Sequence, residues 1–226
     1  EVGERFERVR FLWNPPAEVF TGDVDEGRYV VDGDTLPAWA SDAGIDEHGA
    51  WVDIEVRGVT QRMRWIPPGS FRMGSPQNEW GRLDNEVLHD VELTAGFWLG
   101  DTPCTRDFYE AVTGSQHPGR SGGPEHPVTE VSWEGLVVWL AELEATLPGL
   151  PTEAEWEYAC RAGDPRATYV SNLDSDQRLD ELNTAAWFES SGMHKVRGKL
   201  PNSWGLHDML GNAWEWCHDW YGAYDV

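Results

Sequence analysis

Basic residues are scarce in this sequence: Lys and Arg together number 17 against 40 Asp and Glu, a formal net charge of −23 over 226 residues. Nucleic acid is gripped by clustered Lys and Arg, as are anionic membrane surfaces, so the imbalance excludes both as partners. It suits a well-solvated acidic surface or a protein that binds cations. Cysteine is equally sparse, with only Cys104, Cys160 and Cys217. Three thiols make no disulfide scaffold and leave at least one unpaired; without C-x-x-C spacing they also make no redox pair, and the cytoplasm is the expected compartment. The seven histidines include no H-x-x-x-H, H-E-x-x-H or H-x-H, which disfavours a histidine-held zinc or iron site. Nucleophile-elbow, P-loop and dinucleotide fingerprints are missing, and no run approaches the ~20 apolar residues of a membrane span. Glu1 is not an initiator Met, so the true N-terminus, with any export signal, is expected upstream.

What the chain has in excess is tryptophan, 14 residues in all. Large aromatics usually fill the core of a loop-rich domain, the role expected of most of Trp133, Trp139, Trp156, Trp187, Trp204, Trp214, Trp216 and Trp220. Residues 1 to about 50 are rich in Gly, Asp and Glu and read as an irregular N-terminal extension; a single domain is expected over residues 51–226. In "WVDIEV", Val52, Ile54 and Val56 alternate with Asp53 and Glu55, the pattern of a half-buried strand, and "QRMRWI" reads as its antiparallel partner. "SFRMGS" and "HDVELT" are two further short strands. Three helices are expected: one capped by Thr105 and stopped by Gly114, one capped by Ser132 with Leu136, Leu140 and Leu143 in phase, and one opening on the capping box of Thr152 and Glu155, with Gly163 just past its end. From residue 164 onward the chain is loop-rich. The layout is α+β, and long irregular stretches need metal ions, disulfides or aromatic packing to hold them.

One stretch of that irregular part carries candidate chemistry. In "HDMLGNAWEW", Asp208 and Glu215 bracket a Gly-Asn bend. Calcium takes six to eight oxygens, many of them backbone carbonyls, and such a bend can aim the carbonyls of Gly211 and Ala213 to the side of the two acids. The spacing is equally compatible with Asp208 capping a turn and Glu215 pairing with an arginine. Cys160 and Cys217 read as structural thiols.

"FRMGS", "HPVTEVSW", "LPTEAEWEYACRAG", "PNSWGLHDMLGNAWEW" and "DWYG" stand in the order of the sulfatase-modifying-factor family. From about Trp65 to Tyr221 the chain resembles the formylglycine-generating enzymes and their relatives. The resemblance implies a C-type-lectin-like fold with little regular secondary structure. It implies structural calcium on the Asp208 and Glu215 side chains and the Gly211 and Ala213 carbonyls, and a second ion, found in some members, that would begin at Asn183 and Thr184. It implies oxidation of a client-protein cysteine to formylglycine by molecular oxygen and copper held by two cysteines. That pair falls downstream of "GNAWEW", and Cys217 is too early to belong to it, so the pair and the closing strands are expected after Val226. The histidine-rich iron motif of the ergothioneine-type relatives has no counterpart here. "GVTQRMRWIPPGSFRMGSP" and "GFWLGDTPCT" resemble a bacterial subgroup that includes variable proteins of diversity-generating retroelements, which display a ligand-binding surface on this fold. The alternative function implied is a non-catalytic binding module for a protein or peptide, with a glycan as a further possibility.

Overall fold

The computed structural model describes residues 7–8, 10, 12–13, 40–117, 122–136, 149–171, 179–188, 192–212 and 214–224. Its organising unit is the expected hairpin. Strand β4 (Gly49–Val56) pairs antiparallel with β5 (Val59–Ile66), Val56 facing Val59. The two-residue link between them, Arg57-Gly58, has φ of 50° and 81°, the double positive φ that matches the right-handed twist of a hairpin. Val52 and Ile54 are buried and Glu55 is exposed, as alternation predicts.

The sheet extends to both sides of this hairpin. Its order is β2-β8-β5-β4-β3, with β2 at Leu12–Trp13, β3 at Asp42–Asp46 and β8 at Phe97–Gly100. Strand β3 falls inside the segment expected to be an irregular extension. Its Gly and Asp content hides it, yet five backbone partners in β4 hold it, and residue 50 lies within the β3–β4 hairpin pairing. A second sheet pairs β6 (Gly69–Met73) with β7 (His89–Leu93). A third pairs β1 (Glu7–Arg8) parallel with β9 (Trp214–Glu215).

Helix α1 (Arg106–Thr113) starts at Thr105, whose side chain accepts from the Phe108 amide, and stops at Gly114 with φ 70°. Helix α2 (Glu153–Arg161) opens on the Thr152–Glu155 capping box. It closes one residue earlier than expected, with Ala162 in the left-handed conformation at φ 48° and Gly163 following at 82°. Of the helix expected after Ser132, residues 133–136 are helical and Ser132 caps them; Leu140 and Leu143 lie outside the described residues. Among the described residues, the long irregular segment holds a single helical turn, α3 (Leu179–Leu182).

The large sheet is covered on both faces. Val52, Ile54, Met63 and Trp98 pack with Phe108 of α1 and Leu136 on one side. Leu12, Ile66, Phe97 and Leu99 pack with Tyr158 of α2 and with Leu206 and Met209 on the other. Burying each of these side chains contributes roughly 1.5–3 kcal/mol. The second cluster fixes where residues 202–215 lie, because Leu206 and Met209 are the loop's own anchors in it.

Candidate functional site

Asn202 shapes the loop from the inside. Its buried amide donates to the carbonyls of Ala159 (2.8 Å) and Cys160 (3.1 Å) at the end of α2, and its oxygen accepts from the amides of Trp204 and Leu206 (both 3.1 Å). One side chain thereby satisfies four backbone groups that no strand or helix supplies. The Gly-Asn bend is fixed the same way. Gly211 has φ 132°, and a Cβ there would stand 2.2 Å from the Trp187 carbonyl oxygen, so only glycine fits. Asn212 donates its amide N–H to Trp187 O (3.1 Å), accepts from His194 N (2.9 Å) and donates its side chain to His194 O (3.1 Å).

The two acids expected to hold calcium are both engaged by protein donors. Asp208 is buried at φ 59°, and its carboxylate accepts from the Arg197 amide at 2.9 Å. Glu215 forms a forked pair with the fully buried Arg10: Arg10 Nε to Oε2 at 2.7 Å and Nη2 to Oε1 at 3.1 Å. Trp156 Nε1 donates to the same Oε2 at 2.8 Å. Arg10 is saturated in turn, donating to Gly100 O (2.7 Å) and His207 O (2.8 Å). A guanidinium therefore supplies at Glu215 the positive charge that an ion was expected to bring. Of the expected ligand set, Asp208, Gly211 and Glu215 share one loop and Ala213 lies outside the described residues; both acids are engaged by protein donors. The start of the second expected site is occupied likewise: Lys199 Nζ donates to both the backbone and side-chain oxygens of Asn183.

Beside this loop lies a groove of about 720 Å³, bounded by Trp133, Trp156, Trp187, Trp214, Trp216, Trp220 and Tyr221 with Glu153, Asp219 and Cys217. Trp216 is pinned through Nε1 to the Val131 carbonyl (2.9 Å), Trp156 through Glu215, and Trp187 by stacking on His194 at 3.7 Å. Trp133 and Trp220 face each other with centroids 5.4 Å apart. The core role expected of the tryptophans fails for two of them, since Trp214 is 66% and Trp220 87% exposed; Trp139 lies outside the described residues. The outer wall docks on the start of α2, where His218 N donates to Pro151 O and Glu153 N donates to Asp219 Oδ1, both at 2.8 Å. Tyr224 Oη donates to Glu153 Oε1 at 3.1 Å.

All three cysteines are free. Cys104 belongs to the first core cluster and Cys160 to the second. Burial raises the Cys104 thiol well above its ordinary value and pushes Cys160 up to about 12. Cys217, in the groove, is also pushed up to about 12, by burial first and then by the carboxylates of Asp219, Glu215, Glu153 and Glu155. Burial and the surrounding carboxylates thus disfavour the thiolate at Cys217, and the two-cysteine copper pair was expected elsewhere, after Val226. Arg10, Glu153 and Asp219 were not foreseen as site residues. The only sequence sign of the groove is the aromatic density of "WEWCHDWYG".

Sparse strands, capped helices and a loop face organised around a Gly-Asn bend define an irregular α+β scaffold that presents an aromatic groove. The chain belongs to the sulfatase-modifying-factor family: residues 52–226 match the sulfatase-modifying factor enzyme 1-like domain. It is 36% identical over 152 residues to the formylglycine-generating enzyme of Thermomonospora curvata, covering 61% of this chain and 46% of that protein. It is 30% identical over 198 residues to the serine/threonine-protein kinase pkn1 of Chlamydia caviae, covering 75% of this chain and 29% of that one. The chain thus spans less than half the length of either relative. Treponema denticola variable protein 1 has the same fold, with a TM-score of 0.64 at 23% identity over 77% of this chain and 78% of that one.

Proposed function

We propose that this chain is a non-catalytic ligand-binding domain on the C-type-lectin-like scaffold of its family, and that the aromatic groove receives a protein or peptide ligand. The observation that carries the reading is the groove itself. Several of its indoles are locked in place by hydrogen bonds or stacking, while Trp214, Trp220 and Tyr221 stand 66%, 87% and 82% exposed at its edge. Large rigid aromatics left in water on a fixed frame are characteristic of the centre of a binding surface. The volume falls in the range of ligand sites, roughly 300–1,000 Å³.

Formylglycine formation, the activity named for several relatives, is set aside for this chain on the state of its thiols. The one cysteine at the groove has its thiol pushed up to about 12 by burial and nearby carboxylates, and all three cysteines are free. Incubation with copper, oxygen, reductant and a Cys-x-Pro-x-Arg peptide is expected to leave the peptide cysteine unchanged by mass spectrometry. Formylglycine in the product would overturn the non-catalytic reading.

A further inference from the structure

Resting on that reading of the groove as a peptide site, we infer that its occupant is a basic segment, whose lysine or arginine side chain lies against the aromatic wall of Trp133, Trp220 and Tyr221 and meets the carboxylates of Glu153 and Asp219. The indole face carries negative quadrupole density and draws a cation within ~6 Å of its centroid. The Trp133–Trp220 pair, with centroids 5.4 Å apart and tilted by 41°, is packed ring on ring and offers its outer faces to a cation lying against it. No Lys or Arg lines the groove among the described residues, whereas Glu153 and Asp219 both do. Among the described residues neither acid takes part in an ion pair. Glu153 accepts from Tyr224 and Asp219 from a backbone amide, so each is held in place by a neutral donor.

The electrostatics of the neighbouring groups agree. Burial, with the nearby Asp219 and Glu157 carboxylates, holds the Glu153 carboxyl above its usual range despite the Tyr224 hydrogen bond. The same negative field acts on the Cys217 thiol. A cation entering here would relieve charge that the protein leaves uncompensated. This contrasts with Glu215 in the same wall, which already has Arg10. A chain carrying −23 would attract such a partner from a distance as well. The exposed rim requires an occupant larger than a lone cation, because Trp214 and Tyr221 are covered only by something that runs on past the groove.

The test is to pan a random heptapeptide phage library on the immobilised chain and on its Trp220→Ala/Tyr221→Ala variant. Both replaced side chains are exposed, and circular dichroism verifies the fold. Peptides retained by the parent chain and lost on the variant are expected to be enriched in Lys and Arg over the input library. The best of them, synthesised and titrated by tryptophan fluorescence, is expected to bind at least tenfold more weakly to Glu153→Gln/Asp219→Asn, which keeps both acceptor oxygens. Rim-dependent peptides without basic enrichment, or basic peptides indifferent to the acid replacements, would overturn the inference and leave the peptide site standing. Retention unaffected by the rim variant would remove the peptide site, and the inference with it.

Discussion

Between residues 42 and 66 each strand is tied to its sequence neighbour by backbone ladders closed by short turns. Between residues 192 and 224 the ties are to distant positions and lean on a few polar side chains: Asn202 to the backbone at the end of α2, Asn212 to the backbone of residues 187 and 194, and Glu215 to the Arg10 guanidinium across 205 positions. The first region is stabilised by many weak, redundant bonds, the second by a few buried polar residues without substitutes. A ladder loses one bond at a time. A loop held by Arg10 or Asn202 leaves several buried groups unsatisfied when that one residue goes.

Breaking the loop side should therefore cost more than nicking the ladder side. Arg10→Ala strands the Glu215 carboxylate and two carbonyls, and is expected to lower unfolding free energy by about 3–5 kcal/mol in a urea titration. Replacing both partners, Arg10→Met with Glu215→Met, should recover much of that loss, because no buried charge is then left alone. Asn202→Ala follows, with an expected loss of roughly 2–3 kcal/mol from the amides and carbonyls it abandons. Thr152→Ala, which removes only the capping box of α2, is expected to cost about 1 kcal/mol; equal losses for Thr152→Ala and Arg10→Ala would dissolve the contrast between the regions. The smallest effect is expected of chelation. EDTA should leave the thermal midpoint unchanged, since Arg10 already neutralises Glu215, and a clear fall in the midpoint would show that an ion holds this loop after all.

The same contrast governs what could be read from the residues. The β4–β5 hairpin and the caps at Thr105, Ser132 and Thr152 were legible because their signals are local: alternation, a turn, an N-cap three residues from its partner. Strand β8 was not, although it lies at the heart of the sheet. All four of its residues are buried, Trp98 toward one core and Phe97 and Leu99 toward the other, so no polar positions alternate to mark it. The Gly-Asn bend was visible, and the backbone angle at Gly211 bears out why glycine stands there. What fills the bend was not visible. Carboxylate spacing is the same for a calcium ion as for an arginine arriving from the other end of the chain, and the spacing of Asp208 and Glu215 alone does not separate them. The tryptophans misled for a related reason, since composition counts indoles without saying which face water.

Arg10 and its carboxylate partner are separated by 205 positions of synthesis. At roughly 5–20 residues per second, the arginine waits about 10–40 s before Glu215 exists. Throughout that interval Arg10 lacks its partner, and for nearly all of it the second core lacks Leu206 and Met209. A chain halted before Trp214 would thus carry its sheet and both helices without the buried ion pair that clasps the loop, leaving the Arg10 guanidinium uncompensated.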